Sequence, residues 1–461
     1  MADPAKKDAK SEDSIFTDIF SLIADNIVGI ILFTVGVILF FVNRELMLEL
    51  IAFYFLLKIA FKVWMHYIQQ DFKSGITWVI LEIVPPREVL RSPKAMELFF
   101  TNALYHHSNK GGLELYWQGA IWFWYSLELV SIDGQVHFYI RTPSRIKDLI
   151  ETQMYAQYPQ AQVKVVDDYT LAVDKIVDDG EWKLWGCEFA LAKPDAFPIK
   201  TYVDYGLDKD PKEEYKIDPI SPLIELFGSI KKGEQMWLQI VVRPSKKEFP
   251  DADGKGVHDW VKESEDVLNA LLKRYQSPGE GDPVRPAGFA PQDPAVKGVM
   301  AKMSKIGFDT GIRACYVAKK EAWDMNHRRD IRLIFRQYSN MPVNELVRVN
   351  STQADSLAGG GFFGSFFLLA PEKVTILCNR MLKDYRNRGF FNGSLRKKVL
   401  RNFLFWPITP YLTMTFFESK TQVMNVEEIA TLWHFPGQML KVPTLERIES
   451  KEAAPPTNLP T

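Results

Sequence analysis

The chain begins with two long apolar runs that are separated by a short polar turn. The first run, Ile27–Val42, has sixteen apolar or small residues and no charge, and the second, Leu46–Ile68, contains three charged residues. Because about 20 apolar residues are enough to cross ~30 Å of hydrocarbon, the pattern predicts a transmembrane helical hairpin over residues 26–70. The alternative is a buried helical hairpin of a soluble domain.

Basic residues flank this hairpin, and they set its predicted orientation. Three lysines precede the first run, three occur within or just after the second, and one arginine lies in the turn: Lys6, Lys7, Lys10, Lys58, Lys62, Lys73 and Arg44. Since cytoplasmic flanks carry the excess of Lys and Arg, we expect both termini and the soluble modules to face the cytoplasm, at the cytoplasmic (inner) membrane. Residues 1–25 form a polar, partly amphipathic N-terminus.

After the hairpin, strand and helix patterns follow each other in the order β-α-β-β-α-β. The strands of this first module, over 75–170, are Trp78–Val84, Ile121–Ile132, Gln135–Arg141 and Val163–Val166. Asp133-Gly134 is the turn signal of a hairpin, and a Ser-Pro or Thr-Pro pair precedes each helix. This order predicts a ferredoxin-like module.

The same order returns over 180–350. The strands are Glu181–Lys193, Glu234–Val242, Gly311–Lys319 and Leu346–Val349. A helical insertion at 246–305 separates the second strand from the third, and a helix over Met325–Tyr338 precedes the fourth. The fold class that we expect is α+β: an N-terminal transmembrane helical hairpin, two tandem ferredoxin-like modules, the second with the insertion, and a basic C-terminal region.

Composition divides the rest of the chain into three segments. Residues 351–372 form a Gly/Phe-rich connector, 373–436 form a basic and aromatic region, and 437–461 form a Pro-rich tail that we expect to be disordered. The apolar run of the connector is too short to span a bilayer. It either packs between the modules, which we favour, or dips into a membrane interface.

Charge and motifs narrow the chemistry. The chain has 56 Lys+Arg and 57 Asp+Glu, so its net charge of −1 gives no global attraction to nucleic acid. The three cysteines lie far apart in the sequence, which argues against a disulfide framework and a zinc cluster. The sequence has no P-loop and no His-Glu-x-x-His, Cys-x-x-Cys or Gly-x-Ser-x-Gly motif. We therefore expect no catalytic residues, no metal, no cofactor and no enzyme activity.

Two basic sets are candidates for binding nucleic acid or anionic lipid. One lies on the predicted helix Met325–Tyr338, and the other is interleaved with aromatic residues in the C-terminal region. Their members are Arg329, Arg332, Arg336, Arg386, Arg388, Arg396, Lys397, Lys398 and Arg401. Cationic side chains grip phosphates, and aromatic rings stack on bases or lie at lipid interfaces. A solvated charged face beside buried aromatic residues is the alternative for both sets.

The segment Asn425–Pro436 (NVEEIATLWHFP) resembles a stretch of HerA/FtsK-related ATPases of type IV secretion and conjugation, where it directly precedes the motor core. The matching residues are Glu427, Glu428, Ile429, Ala430, Leu432, Trp433, His434, Phe435 and Pro436. The wider plan resembles uncharacterised membrane-anchored proteins of candidate-phylum bacteria. A C-terminal amphipathic helix followed by a disordered tail would give a similar pattern.

The resemblance implies a function and a set of partners. We expect a membrane-anchored, non-catalytic accessory or scaffold subunit of a type IV secretion-like machine for conjugative DNA or protein translocation. It would partner a separate P-loop ATPase and form homo-oligomers, and DNA is a further candidate partner. Partner docking would fall to Glu427, Glu428, Leu432, Trp433, His434 and Phe435. The alternative is a membrane-surface scaffold that binds anionic lipid and has no role in DNA transfer.

Overall fold

The computed structural model describes residues 44–86, 91–105, 110–209, 217–246, 259–276, 293–341, 343–352, 371–391, 419 and 421–437. The chain divides into two compact units, Met1–Ile68 and Gln69–Thr461. Helix α1, Arg44–Ser74, supplies the described part of the first unit and the beginning of the second.

The predicted transmembrane hairpin is wrong. Helix α1 has 31 residues, yet no helix in the described part of the chain is both long enough and apolar enough to cross a membrane. Charged residues at Glu49, Lys58 and Lys62 interrupt the second apolar run and lower its mean hydropathy. The first run, Ile27–Val42, lies outside the described residues.

After α1, the described part of the second unit consists of helices of 5 to 17 residues and strands of 4 to 13 residues. The strands are β1 Trp78–Val84, β2 Tyr125–Ile132, β3 Gln135–Pro143, β4 Gln162–Val166, β5 Trp182–Leu191, β6 Glu234–Pro244, β7 Gly307–Lys319, β8 Leu346–Ser351 and β9 Gln422–Asn425. The helices after α1 are α2 Lys94–Ala103, α3 Gly112–Tyr116, α4 Lys147–Gln157, α5 Ser221–Gly228, α6 Trp260–Gln276, α7 Pro294–Met303, α8 Met325–Asp330, α9 Pro371–Arg386 and α10 Val426–Leu432.

The strands form a single antiparallel sheet in the order β4-β1-β3-β2-β6-β7-β5-β8, and β9 pairs with the beginning of β7. Both β1–β4 and β5–β8 run β-α-β-β-α-β along the chain, although the last helical segment of the second half is short. The two halves are not separate modules. Strand β2 pairs with β6 from Tyr125↔Val242 to Ile132↔Gln235, so the edges that would bound two independent sheets are joined.

Local sequence explains several of the connections. Asp133 and Gly134, between β2 and β3, have φ angles of 55° and 88°. Two consecutive positive φ values are what a tight Asp-Gly hairpin turn requires, and its twist matches that of the flanking strands. The helix predicted over Met325–Tyr338 ends early, because α8 stops at Asp330 and two 3₁₀ turns, Ile331–Leu333 and Arg336–Tyr338, follow. The apolar residues of this segment are nevertheless buried: Ile331, Ile334, Phe335 and Tyr338.

One face of the sheet is covered by a layer of helices. Phe100 of α2, Met154 of α4, Phe227 of α5 and Leu432 of α10 are all buried against it. The 3₁₀ turns after α8 pack on the same face, where Phe335 meets the ring of Phe189 edge-on. This face holds the main hydrophobic core, and its apolar burial is the largest stabilising contribution that the described fold offers.

Helix α9 covers part of the opposite face. Its residues Leu377, Met381 and Tyr385 are buried there against Trp237 and Val317 of the sheet. A third apolar cluster at one end of the strands includes Trp124 and Phe391. The chain that follows α9 thus stays on the sheet through Phe391, where it closes over polar side chains.

Candidate functional site

A row of polar side chains crosses the sheet on the face under α9. Six neighbouring strands each contribute one residue at matching register positions. This polar row consists of Glu82, Tyr139, Glu128, Gln239, Arg313 and Glu188. Every member of the row except Glu82 is buried. Buried polar groups cost stability unless each one is hydrogen-bonded, so the partners of the row decide what it does.

Glu128 is the most heavily bonded member of the row. Its carboxylate accepts hydrogen bonds from Ser126 Oγ at 2.6 Å, Tyr169 Oη at 2.8 Å and Gln239 Nε2 at 3.2 Å. The Arg388 guanidinium adds two more, from Nε at 2.9 Å and from its terminal nitrogen at 3.2 Å. Four different side chains thus hold this buried negative charge.

Arg388 enters the sheet face from the chain after α9. It is fully buried, and it also reaches Asp168 at 2.5 Å. Its φ of 47° lies in the left-handed region that non-glycine residues rarely adopt. Burial alone would lower the pKa of Arg388, but Glu128 and Asp168 outweigh burial and keep the pKa above its ordinary value. Arg388 is therefore a permanently charged side chain that seals an acidic recess.

A second buried arginine continues the row. Arg313 donates to Glu188 at 2.7 Å and to Gln239 at 3.3 Å, and the Phe390 ring lies 4.3 Å from its guanidinium. Gly311, two residues earlier on β7, has no side chain, and a Cβ there would collide with the Phe390 ring. The close approach of Phe390 thus needs glycine at this position.

These contacts change the interpretation of the C-terminal basic set. Arg388 is buried in the polar row, and Arg386 donates to the carbonyl oxygens of Thr170 and Val173. Both side chains hold the chain after α9 on the sheet and are not presented to a phosphate backbone. Arg396, Lys397, Lys398 and Arg401 lie outside the described residues.

The other basic set lies on the opposite face of the sheet. Arg329 and Arg336 are exposed and Arg332 is half-buried, on the segment that packs with the helical layer. Arg388 and Arg386 belong to the face under α9. The members of the two predicted sets that the structure describes therefore do not come together into one surface.

The residues proposed for partner docking are inside the fold. Glu428, Leu432, Trp433, His434 and Phe435 are buried, and Glu427 is largely buried. Glu428 pairs with the buried Lys302 at 2.9 Å and caps its own helix by accepting from the Asn425 amide. Glu427 pairs with Lys305 at 2.7 Å. In this fold they offer no surface to a partner.

Trp433 and His434 anchor the same segment at two further points. The Trp433 ring meets Phe138 edge-on with centroids 5.4 Å apart, and its Nε1 donates to the carbonyl oxygen of Glu128 at 3.3 Å. His434 lies 3.0 Å from Asp218. Burial would raise the pKa of Asp218, but His434 and two backbone amides lower it below its ordinary value. The segment therefore packs in the core of the second unit and is part of its fold.

Helix α1 presents the largest apolar surface that the structure describes. Large side chains recur every three or four residues along one side of it, and all six are exposed: Leu46, Leu50, Phe53, Leu57, Phe61 and Trp64. We call this set the apolar stripe. Phe53 is 64% exposed and Leu57 58%. Contiguous exposed apolar surface of this kind marks a site of association with a protein or a membrane.

The described residues give little support for a metal site or a nucleophilic cysteine. No group of three or more His, Cys, Asp or Glu there is placed to hold a metal ion. Cys187, Cys315 and Cys378 are buried and form no disulfide. Burial raises the pKa of all three thiols, to about 12 for Cys315 and about 11 for Cys378. A thiol with a raised pKa is a poor nucleophile.

The sequence contains a feature that indicates the polar row, but the hydrophobic patterns alone did not identify it. Each central strand is an apolar run with a single charged or amide residue near its middle, as in MWLQIVV around Gln239 and GIRACYV around Arg313. One such residue is unremarkable. Their recurrence at matching positions of paired strands is the informative feature, and it appears only once the register is known.

Comparison with known proteins adds a family and no function. A family model described as a domain of unknown function (DUF8128) matches residues 80–356. The match covers more than half of the chain, so the protein belongs to this family. It begins in β1 and ends just after β8, and therefore includes both halves of the sheet. Neither the curated proteins nor the solved structures include a match.

Proposed function

We propose that this protein is a non-catalytic scaffold that associates with the surface of a lipid bilayer through α1. The apolar stripe is the observation that carries the proposal. Residues 46 to 64 of the helix would lie in the plane of the interface, with the stripe among the acyl chains. This arrangement requires no passage of the helix across the membrane.

The energetics of the stripe favour association. Fully burying a large apolar side chain contributes about 1.5–3 kcal/mol, and each of these six side chains is about half exposed. Removing them from water together would contribute on the order of 5 kcal/mol. Left in water, the same area would favour aggregation.

Basic residues lie beside the apolar stripe on the same helix. Lys58 and Lys62 are four residues apart, so they share one side, and Lys58 Nζ lies over the Tyr54 ring at 4.6 Å. Lysines beside the apolar stripe of an interfacial helix reach the headgroups while their stems stay in apolar surroundings. The helix thus combines the two features that surface-bound helices share.

The ion pairs that hold the helices on the sheet support the scaffold role. Buried ion pairs fix α7, α10 and the chain after α9 to one continuous sheet, and such a body suits rigid presentation of its surfaces. A role in a secretion machine with a separate ATPase stays a prediction. The segment that suggested it, Asn425–Pro436, is already accounted for by packing in the core.

Vesicle flotation tests the proposal. The full-length protein should float with phosphatidylcholine vesicles, and the double substitution Phe53→Asp/Leu57→Asp should reduce the bound fraction at least tenfold. Two carboxylates in the stripe would have to be desolvated on insertion. The matched control is Leu171→Asp/Met341→Asp, which alters two exposed apolar residues of the sheet domain.

Two results would contradict the proposal. Equal flotation of the stripe variant and the wild type would show that α1 is not the lipid-binding element. Absence of flotation by the wild type, together with a change in oligomeric state in the stripe variant alone, would make the stripe a protein–protein interface.

A further inference from the structure

One end of the sheet gathers aromatic rings and cations. Strand β1 begins there at Trp78, β2 begins at Tyr125, and β3 ends at Pro143, which is paired with Trp78. Trp124 precedes β2, and its ring lies 5.2 Å from that of Trp78. All of these residues belong to the second unit of the chain.

Cations lie over each of these rings. The Arg141 guanidinium is 4.1 Å from the centroid of Trp78, and Lys73 Nζ is 5.1 Å from that of Trp124. Nearby, the Phe123 ring has Arg145 at 4.0 Å and Lys110 at 5.9 Å. We call these four cations and three rings the cation–aromatic cluster. Cation–π contacts hold the positive groups in place but leave their charges uncompensated.

The described carboxylates balance the positive charge of the cluster only in part: Glu114 acts on Lys110, and Glu128 and Asp168 act on Arg141, without forming an ion pair. Among the described residues, none forms an ion pair with Lys73, Lys110, Arg141 or Arg145. Asp309, at this end, pairs with Arg243, and Glu114 accepts from the Gly111 amide in addition to acting on Lys110. The cluster is a concentration of positive charge that would attract an anion.

The environment of the cations agrees with this conclusion. Burial lowers the pKa of Lys73, and the neighbouring Arg141 lowers it further. Burial lowers the pKa of Arg141 to about 10, with Arg388 contributing in the same direction and Glu128 and Asp168 opposing it. A bound anion would reverse both effects, because it favours the charged form of each group.

Trp124 supplies an independent sign of a missing acceptor. Its side chain is 2% exposed, and its Nε1–H has no hydrogen-bond partner among the described residues. An unsatisfied buried donor costs about 1–3 kcal/mol. An oxygen of an anion bound beside Lys73 is the kind of acceptor that this indole lacks.

Exposed apolar residues adjoin the cations. Helix α3 follows Lys110 closely, and Leu113 is 77% exposed and Tyr116 57%. Trp117, which caps the helix, is 71% exposed. Tryptophan, tyrosine and leucine beside cations are typical of the boundary between headgroups and acyl chains. A free phosphate ion would gain nothing from them, whereas a phospholipid would.

We propose that the cation–aromatic cluster binds the phosphate groups of anionic lipids at the bilayer surface, with α3 entering the interface beside them. Lys73 and Arg141 hold the phosphate, and Trp124 Nε1 donates to it. Lys110 and Arg145 add attraction next to the apolar residues of α3. This inference rests on the proposed function and adds the class of lipid and a second contact site.

Flotation on two kinds of vesicle tests the inference. The full-length protein should partition more strongly onto vesicles that contain phosphatidylserine than onto phosphatidylcholine alone. Lys73→Gln/Arg141→Gln and Lys110→Gln/Arg145→Gln should each lose most of that preference, roughly thirtyfold for two charges near an anionic surface. Lys231→Gln/Lys232→Gln removes the same charge from exposed positions elsewhere and should leave the preference unchanged.

The outcomes separate the two proposals. Equal partition of the wild type onto both kinds of vesicle would overturn the cluster as a lipid site and leave the role of α1 standing. Release by inorganic phosphate, beyond that caused by sodium chloride at the same ionic strength, would also overturn it, because the cluster would then bind the free ion. Absence of binding to any vesicle would contradict the proposed function itself.

Discussion

Arg388 combines a strained backbone with a buried charge at a single residue. Its left-handed φ and its contacts with Glu128 and Asp168 both depend on the chain after α9 lying flat against the sheet. A left-handed non-glycine residue costs about 1–2 kcal/mol, and it persists only when its surroundings compensate. The two carboxylates supply that compensation.

Replacing Arg388 should therefore destabilise the whole sheet domain. We expect Arg388→Ala to lower the free energy of unfolding by about 3–5 kcal/mol, because Glu128 is left as an unpaired buried charge. Arg388→Gly should lose nearly as much, although glycine relieves the backbone strain. Urea denaturation followed by circular dichroism measures both values.

Two comparisons sharpen this test. Lys383→Ala, at an exposed position of α9, should change stability by less than about 0.5 kcal/mol. Adding Glu128→Gln to Arg388→Ala should recover part of the loss, since the buried charge is then removed. Wild-type stability of Arg388→Ala would mean that the residue does not seal the recess in solution.

The sequence identified Arg388 as a candidate for binding nucleic acid or anionic lipid. Its predicted environment, an exposed binding surface, was wrong. A basic, aromatic stretch looks the same whether its arginines face solvent or buried carboxylates. The partners of Arg388 lie 260 and 220 residues away in the sequence, at Glu128 and Asp168. Only the folded register brings these three residues together.

At the scale of elements, strand β9 and helix α10 show how one amphipathic pattern permits two interpretations. The segment Asn425–Pro436 has the alternation of acidic and apolar positions that a docking helix would have. In the fold, its apolar residues extend the main core and its acids pair with Lys302 and Lys305. The sequence predicts the helix. The residues that pack against its apolar side come from distant strands, and the local pattern does not identify them.

The packing of this element can be measured through Trp433. We expect Trp433→Ala to lower the free energy of unfolding by about 3–5 kcal/mol, because it removes a fully buried ring and the bond to the Glu128 carbonyl. Trp117→Ala, which truncates an exposed tryptophan, should have little effect on thermal unfolding. An unchanged melting temperature for Trp433→Ala would indicate that the segment is detached from the core and free to dock.

At the scale of the whole molecule, three of the described carboxylates link stability to acid pH. His137 and Lys164 lower the pKa of Glu82 despite burial, and Arg388 and Thr170 overcome burial to lower that of Asp168. Asp218 is lowered in the same way by His434. Groups with a depressed folded pKa bind more protons in the unfolded state, so their stabilisation is complete above about pH 4–5 and decreases as pH falls below that.

Asp168→Asn isolates one of these contributions. Above pH 5 the variant should be less stable than the wild type by about 1.5–3 kcal/mol, the usual loss when a bond to a charged group is weakened. The difference should shrink as the pH falls through the lowered pKa of Asp168, because the wild-type carboxyl then becomes protonated as well. Chemical denaturation across this pH range measures it, and Glu225→Gln, at an exposed position, is the control. A difference that does not depend on pH would contradict the assignment.

The order of elements in the sheet domain was accessible from the sequence, whereas its assembly was not. Local turn and cap signals mark strands and helices in both halves, because they depend on neighbouring residues. The pairing of Tyr125 with Val242 joins strands that are more than a hundred residues apart, and no local pattern encodes it. The apolar length of the second N-terminal run likewise outweighed its three charges in the prediction of a membrane span.

The strand order has a consequence for the origin of the molecule. From the junction of β2 and β6 outward, each half presents its second, third, first and fourth strands in turn. Two identical four-stranded subunits, paired through their second strands about a twofold axis, would form a sheet with this same order. The order is therefore the one that duplication and fusion of the gene for a symmetric homodimer would leave. The α6–α7 insertion, present in the second half alone, would then postdate the fusion.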